Sequence, residues 1–322
     1  MRIFRLDDRQ RSLTAGEVPQ PQPGRGELLI RVHAAGVIPT ELSWYPTSHR
    51  STGEPRMGAV PCHEFSGVVA AMGEDAGSFQ IGQDVFGMND WYADGALAEY
   101  CVAPGQAVAA KPRSLTHAEA ASVPISALTA WQGLFARARL QAGERVLVHG
   151  AAGGVGGFAV QLARIRGAQV MATASARNRD FVLGLGAKTV IDYRESRFEE
   201  AGPVDVVFDT VGGETLERSW SVLKPGGRLV TVVSTAENSN DARVQQAFFI
   251  VEPNQQQLTE IARLLDEGRL RTVVDTVLPF AQAPATYDGR APRQGRGKVV
   301  IDVADKTGMA ADLRSEAARA TP

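Results

Sequence analysis

The segment Gly150-Ala151-Ala152-Gly153-Gly154-Val155-Gly156 has the composition and spacing of a turn that holds a phosphate group. It follows a short apolar run and opens an amphipathic helical pattern. In such a turn small residues allow the tight bend, the approach of the backbone to a pyrophosphate and close packing of helix on strand. The free amides and positive dipole of the helix N-terminus favour the phosphates. The segment therefore predicts a dinucleotide site; the alternative is a glycine-rich turn without a ligand.

The residues after the next apolar run favour NADPH over NADH. In NAD-binding proteins an acidic residue lies ~20 residues beyond the glycines and holds the ribose 2′-hydroxyl. Here no carboxylate occurs before Asp180, whereas Ser175 and Arg177 offer a hydroxyl and a guanidinium to a 2′-phosphate. Asn178 stands beside them, and Tyr193 adds a hydroxyl or a ring wall. The alternative is that Arg177 is a solvated residue at the start of a helix.

Alternating strands and helices must position these residues. From about residue 118, runs of Val, Ile and Leu at 145–149, 169–173 and 204–209 alternate with helical patterns, which predicts a parallel sheet with right-handed crossovers. Residues 1 to about 117 contain short strands broken by Gly and Pro, which predicts a compact, mostly β module.

The carboxyl ends of such strands face the ligand crevice. Gly212, after one of them, would let its loop pass close to a ribose or the nicotinamide, and Ser234 ends the next strand at the same edge. Asp209 could be a cap or a ligand, and the sequence leaves both open.

Composition excludes several classes of protein. The 322 residues suffice for about two domains, and 34 basic against 36 acidic residues give a net charge of −2, which argues against nucleic-acid binding. Two cysteines, Cys62 and Cys101, exclude a disulfide framework. We expect Cys62 to be an inert small residue rather than a nucleophile. The sequence shows no secretory signal and no run of ~18 apolar residues, so we expect a cytoplasmic location and no membrane partner. The charge balance argues neither for nor against an enzyme with a small-molecule substrate.

Eight segments together resemble the medium-chain dehydrogenase/reductase superfamily, and most closely its zinc-free quinone oxidoreductase branch. They are residues 34–39, 61–69, 95–102, 122–131, 145–163, 173–193, 204–213 and 223–234. The resemblance implies an α/β fold with a Rossmann doubly wound parallel sheet and a GroES-like, mostly β domain. It implies a GroES-like substrate or catalytic domain at 1–117, a Rossmann domain at 118–275, and a return to the first domain with a C-terminal tail at 276–322. It also implies NADPH and a homodimer formed through the Rossmann sheet edge.

The resemblance also transfers roles to individual positions. Gly150, Gly153 and Gly156 match the dinucleotide turn, and Ser175, Arg177 and Tyr193 match a pocket for the 2′-phosphate. Thr129 matches a threonine near the nicotinamide. The other positions that match cofactor-lining residues are Val211, Ser234, Phe249 and Lys298.

Departures from the zinc-dependent relatives predict that no metal is bound. Ile38 and Ile125 stand where those relatives place cysteines, and only His63 and Glu64 remain of their set. One His and one Glu cannot complete a tetrahedral site. We therefore expect a structural role for His63.

The predicted reaction moves a hydride from the cofactor to a quinone or to the β-carbon of an enone, and the oxygen that gains charge needs hydrogen-bond donors. Thr40 could donate to that oxygen, Tyr45 could donate or relay a proton, and Trp44 could stack on a flat ring. Asn89 and Trp91 belong to a second aromatic and polar segment expected in the pocket wall. The alternative is that these are packing and surface residues.

Two other functions stay open. One is a zinc-free alcohol or aldehyde reductase of the same fold. The other is an NADPH-binding sensor with little turnover, which the absence of a motif-fixed catalytic residue permits.

Overall fold

The computed structural model describes residues 1–7 and 12–304. Within them the strands are β1 (Arg2–Asp7), β2 (Ser12–Glu17), β3 (Glu27–Gly36), β4 (Glu64–Met72), β5 (Asp84–Met88), β6 (Tyr100–Pro104), β7 (Val108–Ala110), β8 (Arg145–Val148), β9 (Gln169–Ala174), β10 (Thr189–Asp192), β11 (Val204–Asp209), β12 (Leu223–Thr231), β13 (Val274–Pro279) and β14 (Lys298–Asp302). The helices are α1 (Tyr45–Ser48), α2 (His117–Ala121), α3 (Pro124–Trp131), α4 (Gly154–Ile165), α5 (Arg179–Leu185), α6 (Gly213–Ser219), α7 (Ala242–Ala247) and α8 (Gln255–Asp266). The tail predicted beyond residue 304 lies outside the described residues.

The Rossmann prediction is confirmed by a five-stranded sheet in the order β10-β9-β8-β11-β12, in which every neighbouring pair is parallel. The strand order reverses between β8 and β11. In a doubly wound sheet this switch point opens a crevice at the carboxyl ends of the strands. Both strands consist largely of buried Val, Leu and Phe residues, as parallel strands covered on two faces require. The crevice therefore begins where β8 runs into the glycine-rich turn.

The GroES-like part forms a second sheet of seven strands. Its order is β13-β14-β3-β4-β5-β7, and β6 also pairs with β3. β14 is antiparallel to β3, with Ile301 opposite Ala35. β14, which lies in the segment predicted to return to the first domain, thus joins strands from the beginning of the chain. β13 spans the predicted domain boundary near residue 275 and belongs to this sheet.

A continuous core joins the two sheets. Phe86 and Met88 from β5 belong to the same buried cluster as Leu128 from α3 and Phe208 from β11. This shared core fixes the two sheets relative to each other on either side of a cavity. In the part of the chain that the structure describes, no helix is both long enough and apolar enough to cross a membrane.

Candidate active site

The glycine-rich turn has a backbone that only small residues can form. Gly150 has φ +71°, in the left-handed region that favours glycine. A Cβ on Gly156 would lie 2.2 Å from the carbonyl oxygen of Gly150, so any side chain there would force the turn open. α4 begins directly after Gly153, and its first amides lie at the crevice. The turn therefore has the geometry of a phosphate-binding helix N-terminus.

A loop that the sequence analysis missed crosses this turn. The amide of Gly297 donates to the carbonyl of Ala152 over 2.8 Å, and Gly297 pairs with Gly153 as an isolated parallel bridge. A Cβ on Gly297 would lie 1.9 Å from the carbonyl oxygen of Val273. The seven-stranded sheet thus contacts the dinucleotide turn through the residue that precedes Lys298.

A cavity of about 910 Å³ lies between the two parts of the fold. Most of the predicted site residues line it. From the GroES-like part they are Thr40, Trp44, Tyr45, Trp91 and Lys298, and the others are Thr129, Gly153, Gly154, Val155, Ser234 and Phe249. Residues predicted for cofactor, substrate and chemistry therefore face one space, which also includes Ile38 and Ile125.

The prediction that Asn89 lines the pocket is wrong. Its side chain is fully buried, is not part of the cavity wall and donates to the carbonyl of Val102 in β6 over 2.8 Å. Asn89 directly follows β5, and its amide donates to the carbonyl of His63. The backbone thus remains tied to the sheet at this position, and the side chain joins two strands instead of reaching the ligand space.

The residues predicted around the 2′-phosphate lie at one edge of the five-stranded sheet. Ala174 pairs with Asp192, so Ser175 and Tyr193 are the next residues on neighbouring strands. Ser175 is buried and Tyr193 is exposed. The guanidinium of Arg177 lies against Gly295. These residues do not line the cavity described above, and their role toward a cofactor stays a prediction.

Arg296 was missed as a neighbour of this edge. Its Nε donates to Oδ1 of Asn178 over 2.8 Å, and its Nη2 donates to the carbonyl of Arg177 over 2.9 Å. Only the Gly- and Arg-rich composition of its loop hinted at this contact.

Asp209 shapes the loop that follows β11. Its carboxylate is fully buried and accepts hydrogen bonds from the amides of Val211 and Gly212 and from the hydroxyl of Thr231. These bonds support a structural role, which is one of the two alternatives that the sequence left open. Val211 is about half exposed, and neither it nor Gly212 lines the cavity.

A buried ion pair forms part of the cavity wall. The ammonium of Lys298 contacts Oε1 of Glu64, and Oε2 of Glu64 accepts from the amide of Ile125 over 2.9 Å. Lys298 also lies within 3.5 Å of the hydroxyl of Ser126. Burial raises the pKa of the Glu64 carboxyl, and the charge of Lys298 opposes that shift. The pair links β4, α3 and β14 at the junction of the two sheets.

A second buried carboxylate anchors the segment that carries the predicted catalytic residues. Glu41 is fully buried, and it accepts from the Tyr287 hydroxyl over 2.6 Å and from the amide of Cys62 over 3.0 Å. Nδ1 of His63 lies 3.1 Å from the same carboxylate. Burial raises the pKa of the Cys62 thiol well above its usual range, which argues against a nucleophilic thiolate.

His63 and Glu64, the two positions that match zinc ligands of the zinc-dependent relatives, both contact protein groups. His63 contacts Glu41 through Nδ1 and the carbonyl of Ala93 through Nε2, while Glu64 contacts Lys298 and Ile125. Across residues 1–7 and 12–304, no group of three or more His, Cys, Asp or Glu side chains is arranged to hold a metal ion.

Aromatic side chains form another part of the cavity wall. The rings of Trp44 and Trp91 meet edge to face with centroids 5.4 Å apart. Nε1 of Trp91 donates to the carbonyl of Val251 over 3.2 Å, which ties this wall to the Rossmann part. Nε1 of Trp44 is buried and has no hydrogen-bond partner among the described residues. Tyr45 stacks on His49 and is half exposed.

Two family models match the chain. Residues 24–113 match the alcohol dehydrogenase GroES-like domain, and residues 185–301 match a model described as zinc-binding dehydrogenase. The range 185–301 does not include Ile38, His63, Glu64 or Ile125, which are the positions that match zinc ligands in zinc-dependent relatives. The description of that model therefore does not show that this chain binds zinc.

Relatives and a solved structure extend the match over nearly the whole chain. A human mitochondrial NAD(P)H oxidoreductase is 32% identical over 86% of this chain and 82% of its own length. The 2-methylene-furan-3-one reductase of Solanum lycopersicum is 32% identical over 88% and 74%. The quinone oxidoreductase structure from Coxiella burnetii has a TM-score of 0.84, with 30% identity over 94% of this chain and 99% of that one. Since one relative is mitochondrial, the cytoplasmic location stays a prediction.

Proposed function

Since this chain belongs to the medium-chain dehydrogenase/reductase superfamily and is an oxidoreductase, we propose that it uses NADPH to reduce quinones or α,β-unsaturated carbonyls without zinc. One observation carries the proposal. A single cavity includes both the first residues of the glycine-rich helix and the aromatic wall at Trp44 and Trp91. A cofactor bound at the turn and a flat conjugated substrate would therefore share one cavity.

NADPH, when bound, supplies the hydride. The protein would hold the cofactor phosphates at Gly153 and Gly154 and offer donors to the substrate oxygen as negative charge develops there. Thr40 and Tyr45 provide hydroxyls on the cavity wall. A conjugated carbonyl presents the acceptor that such donors require.

The preference for NADPH is proposed from Ser175 and Arg177, and titration of the protein followed by fluorescence tests it. A charge-assisted hydrogen bond is worth ~1.5–3 kcal/mol, and exposure of Arg177 favours the lower end. Arg177→Ala should therefore weaken NADPH binding about tenfold and leave NADH binding unchanged. Arg25→Ala is the control, because Arg25 is an exposed arginine paired with Asp75. Equal wild-type affinities for NADPH and NADH would contradict the assignment.

Zinc independence is proposed from the apolar side chains of Ile38 and Ile125 and from the protein partners of His63 and Glu64. Prolonged dialysis against a chelator should leave NADPH oxidation unchanged. Loss of activity on dialysis, with recovery on adding zinc, would show that a metal takes part.

A screen of NADPH oxidation separates the candidate reactions. Activity with simple quinones or enones would support the proposal. Activity with aldehydes or ketones alone would identify an alcohol or aldehyde reductase instead. Tight NADPH binding without turnover of any acceptor would favour a binding protein.

We also infer a homodimer formed through β12, which is the last strand of the five-stranded sheet among the described residues. Apart from the bridge between Thr231 and Phe248 at its end, this edge strand offers backbone groups to a second copy. Light scattering of the purified protein at several concentrations should give twice the chain mass. A mass of one chain throughout would refute this inference.

A further inference from the structure

The opening of the cavity carries large, partly apolar side chains, of which the proposed hydride transfer uses only the hydroxyl of Tyr45. Tyr45 is 52% exposed, Tyr92 is 39% exposed and Ile250 is 50% exposed, and all three also line the cavity. Side chains that face both the cavity and the solvent lie at its mouth. We call these three residues the apolar rim.

The rim is continuous with the aromatic wall. Tyr45 and Tyr92 directly follow Trp44 and Trp91, whose rings are in contact. Ile250 directly precedes Val251, whose carbonyl accepts the hydrogen bond of Trp91. The GroES-like and Rossmann parts therefore both contribute to the rim. Large apolar side chains grouped at a cavity mouth are typical of a binding surface rather than of isolated surface residues.

The charges near the cavity favour a neutral ligand here. Of the charged lining residues, Lys298 is paired with Glu64, and Arg293 lies 3.8 Å from the carboxylate of Asp275. Glu237 is exposed on the wall and would repel the carboxylate of an acidic substrate. An alkyl chain that covers the rim gains free energy of binding from the apolar surface that it buries, whereas an acidic group does not.

We propose that the apolar rim binds the alkyl chain of a neutral, long-chain enone whose conjugated carbonyl lies against Trp44 and Trp91. This inference rests on the proposed reductase function and specifies its substrate class. Full burial of one methylene would improve binding about fourfold. Because the rim side chains are about half exposed, we expect about twofold per methylene.

The test compares linear 3-alken-2-ones of increasing chain length at saturating NADPH. For the wild type, kcat/KM should rise about twofold per methylene until the chain extends past the rim, and then level off. Ile250→Ser and, separately, Tyr92→Ser should flatten this slope without changing the affinity for NADPH. Ile81→Ser is the matched control, because Ile81 is 72% exposed but lies outside the cavity wall. Circular dichroism confirms that each variant is folded.

The outcomes separate this inference from the proposed function. A slope that is the same in both rim variants as in the wild type would overturn the inference and leave the reductase function standing. Reduction of quinones but of no enone would also overturn the inference and leave the reductase function standing. Failure of the wild type to oxidise NADPH with any quinone or enone would instead reject the proposed function.

Discussion

Removing the hydroxyl of Tyr287 should destabilise the anchor of the segment that carries Thr40 and Tyr45. This hydroxyl donates to Oε1 of the fully buried Glu41 over 2.6 Å. A hydrogen bond to a charged group contributes ~1.5–3 kcal/mol, and a buried acceptor left without its donor keeps the cost of desolvation. We therefore expect Tyr287→Phe to lower the free energy of unfolding by about 2 kcal/mol.

Thermal unfolding measures this effect. With an unfolding entropy of about 2.1 cal/mol/K per residue, a chain of 322 residues gives about 0.7 kcal/mol/K if it unfolds as one unit. The expected decrease in Tm is then about 3 °C. Tyr92→Phe removes the same atom from a side chain that is 39% exposed, where water can replace lost contacts, and it should change the stability by less than ~0.5 kcal/mol.

A double-mutant cycle makes the test specific. Glu41→Gln replaces the carboxylate that accepts the hydrogen bond of Tyr287 with a neutral amide. Tyr287→Phe should therefore lower the free energy of unfolding by less in the Glu41→Gln background than in the wild type. We expect a coupling of about 1 kcal/mol between the two sites. Additive effects, or a Tyr287→Phe protein as stable as Tyr92→Phe, would refute the account of Glu41 as an anchored, charged acceptor.

Three further changes have clear expected results. Gly156→Ala would place a methyl group 2.2 Å from the Gly150 carbonyl, so NADPH titration should show at least about tenfold weaker binding; unchanged affinity would contradict the assignment of the turn. Burial lowers the pKa of His149 to about 4, against about 6.5 in an unfolded chain, so the unfolded state takes up a proton first. Tm should therefore fall as the pH is lowered from about 6.5 to about 4, and less steeply in His149→Gln. Asp209→Ala leaves the buried amide of Gly212 without its acceptor and should lower stability by about 2 kcal/mol, measured by urea unfolding.

The fold could be predicted because its signals are local. The run at 145–149, the glycine-rich turn and the helix after it are consecutive in sequence, and each limits what its neighbour can form. The structure adds the strand order, in which β8 lies between β9 and β11. The return of β14 to β3 was suggested only by resemblance, since no local pattern shows which sheet a strand joins.

The site was predictable only in part, for a physical reason. Glu41 and Tyr287 lie 246 positions apart in the sequence, and the separation between Glu64 and Lys298 is similar. No rule based on sequence spacing could therefore pair them. Asn89 shows the opposite failure. A polar residue inside an aromatic segment suggested a pocket wall, but a strand-to-strand hydrogen bond determines its direction.

The seven-stranded sheet can be completed only at the end of translation. Its strands come from residues 27–110 and 274–302, and the five-stranded sheet lies wholly between them. During translation the parallel sheet can form while β3 still lacks β14 as a neighbour. The wall that contains Lys298 is completed only after β14 has left the ribosome. Until then a nascent chain carries the glycine-rich turn without the loop that covers it, and β3 presents an open edge to which chaperones could bind.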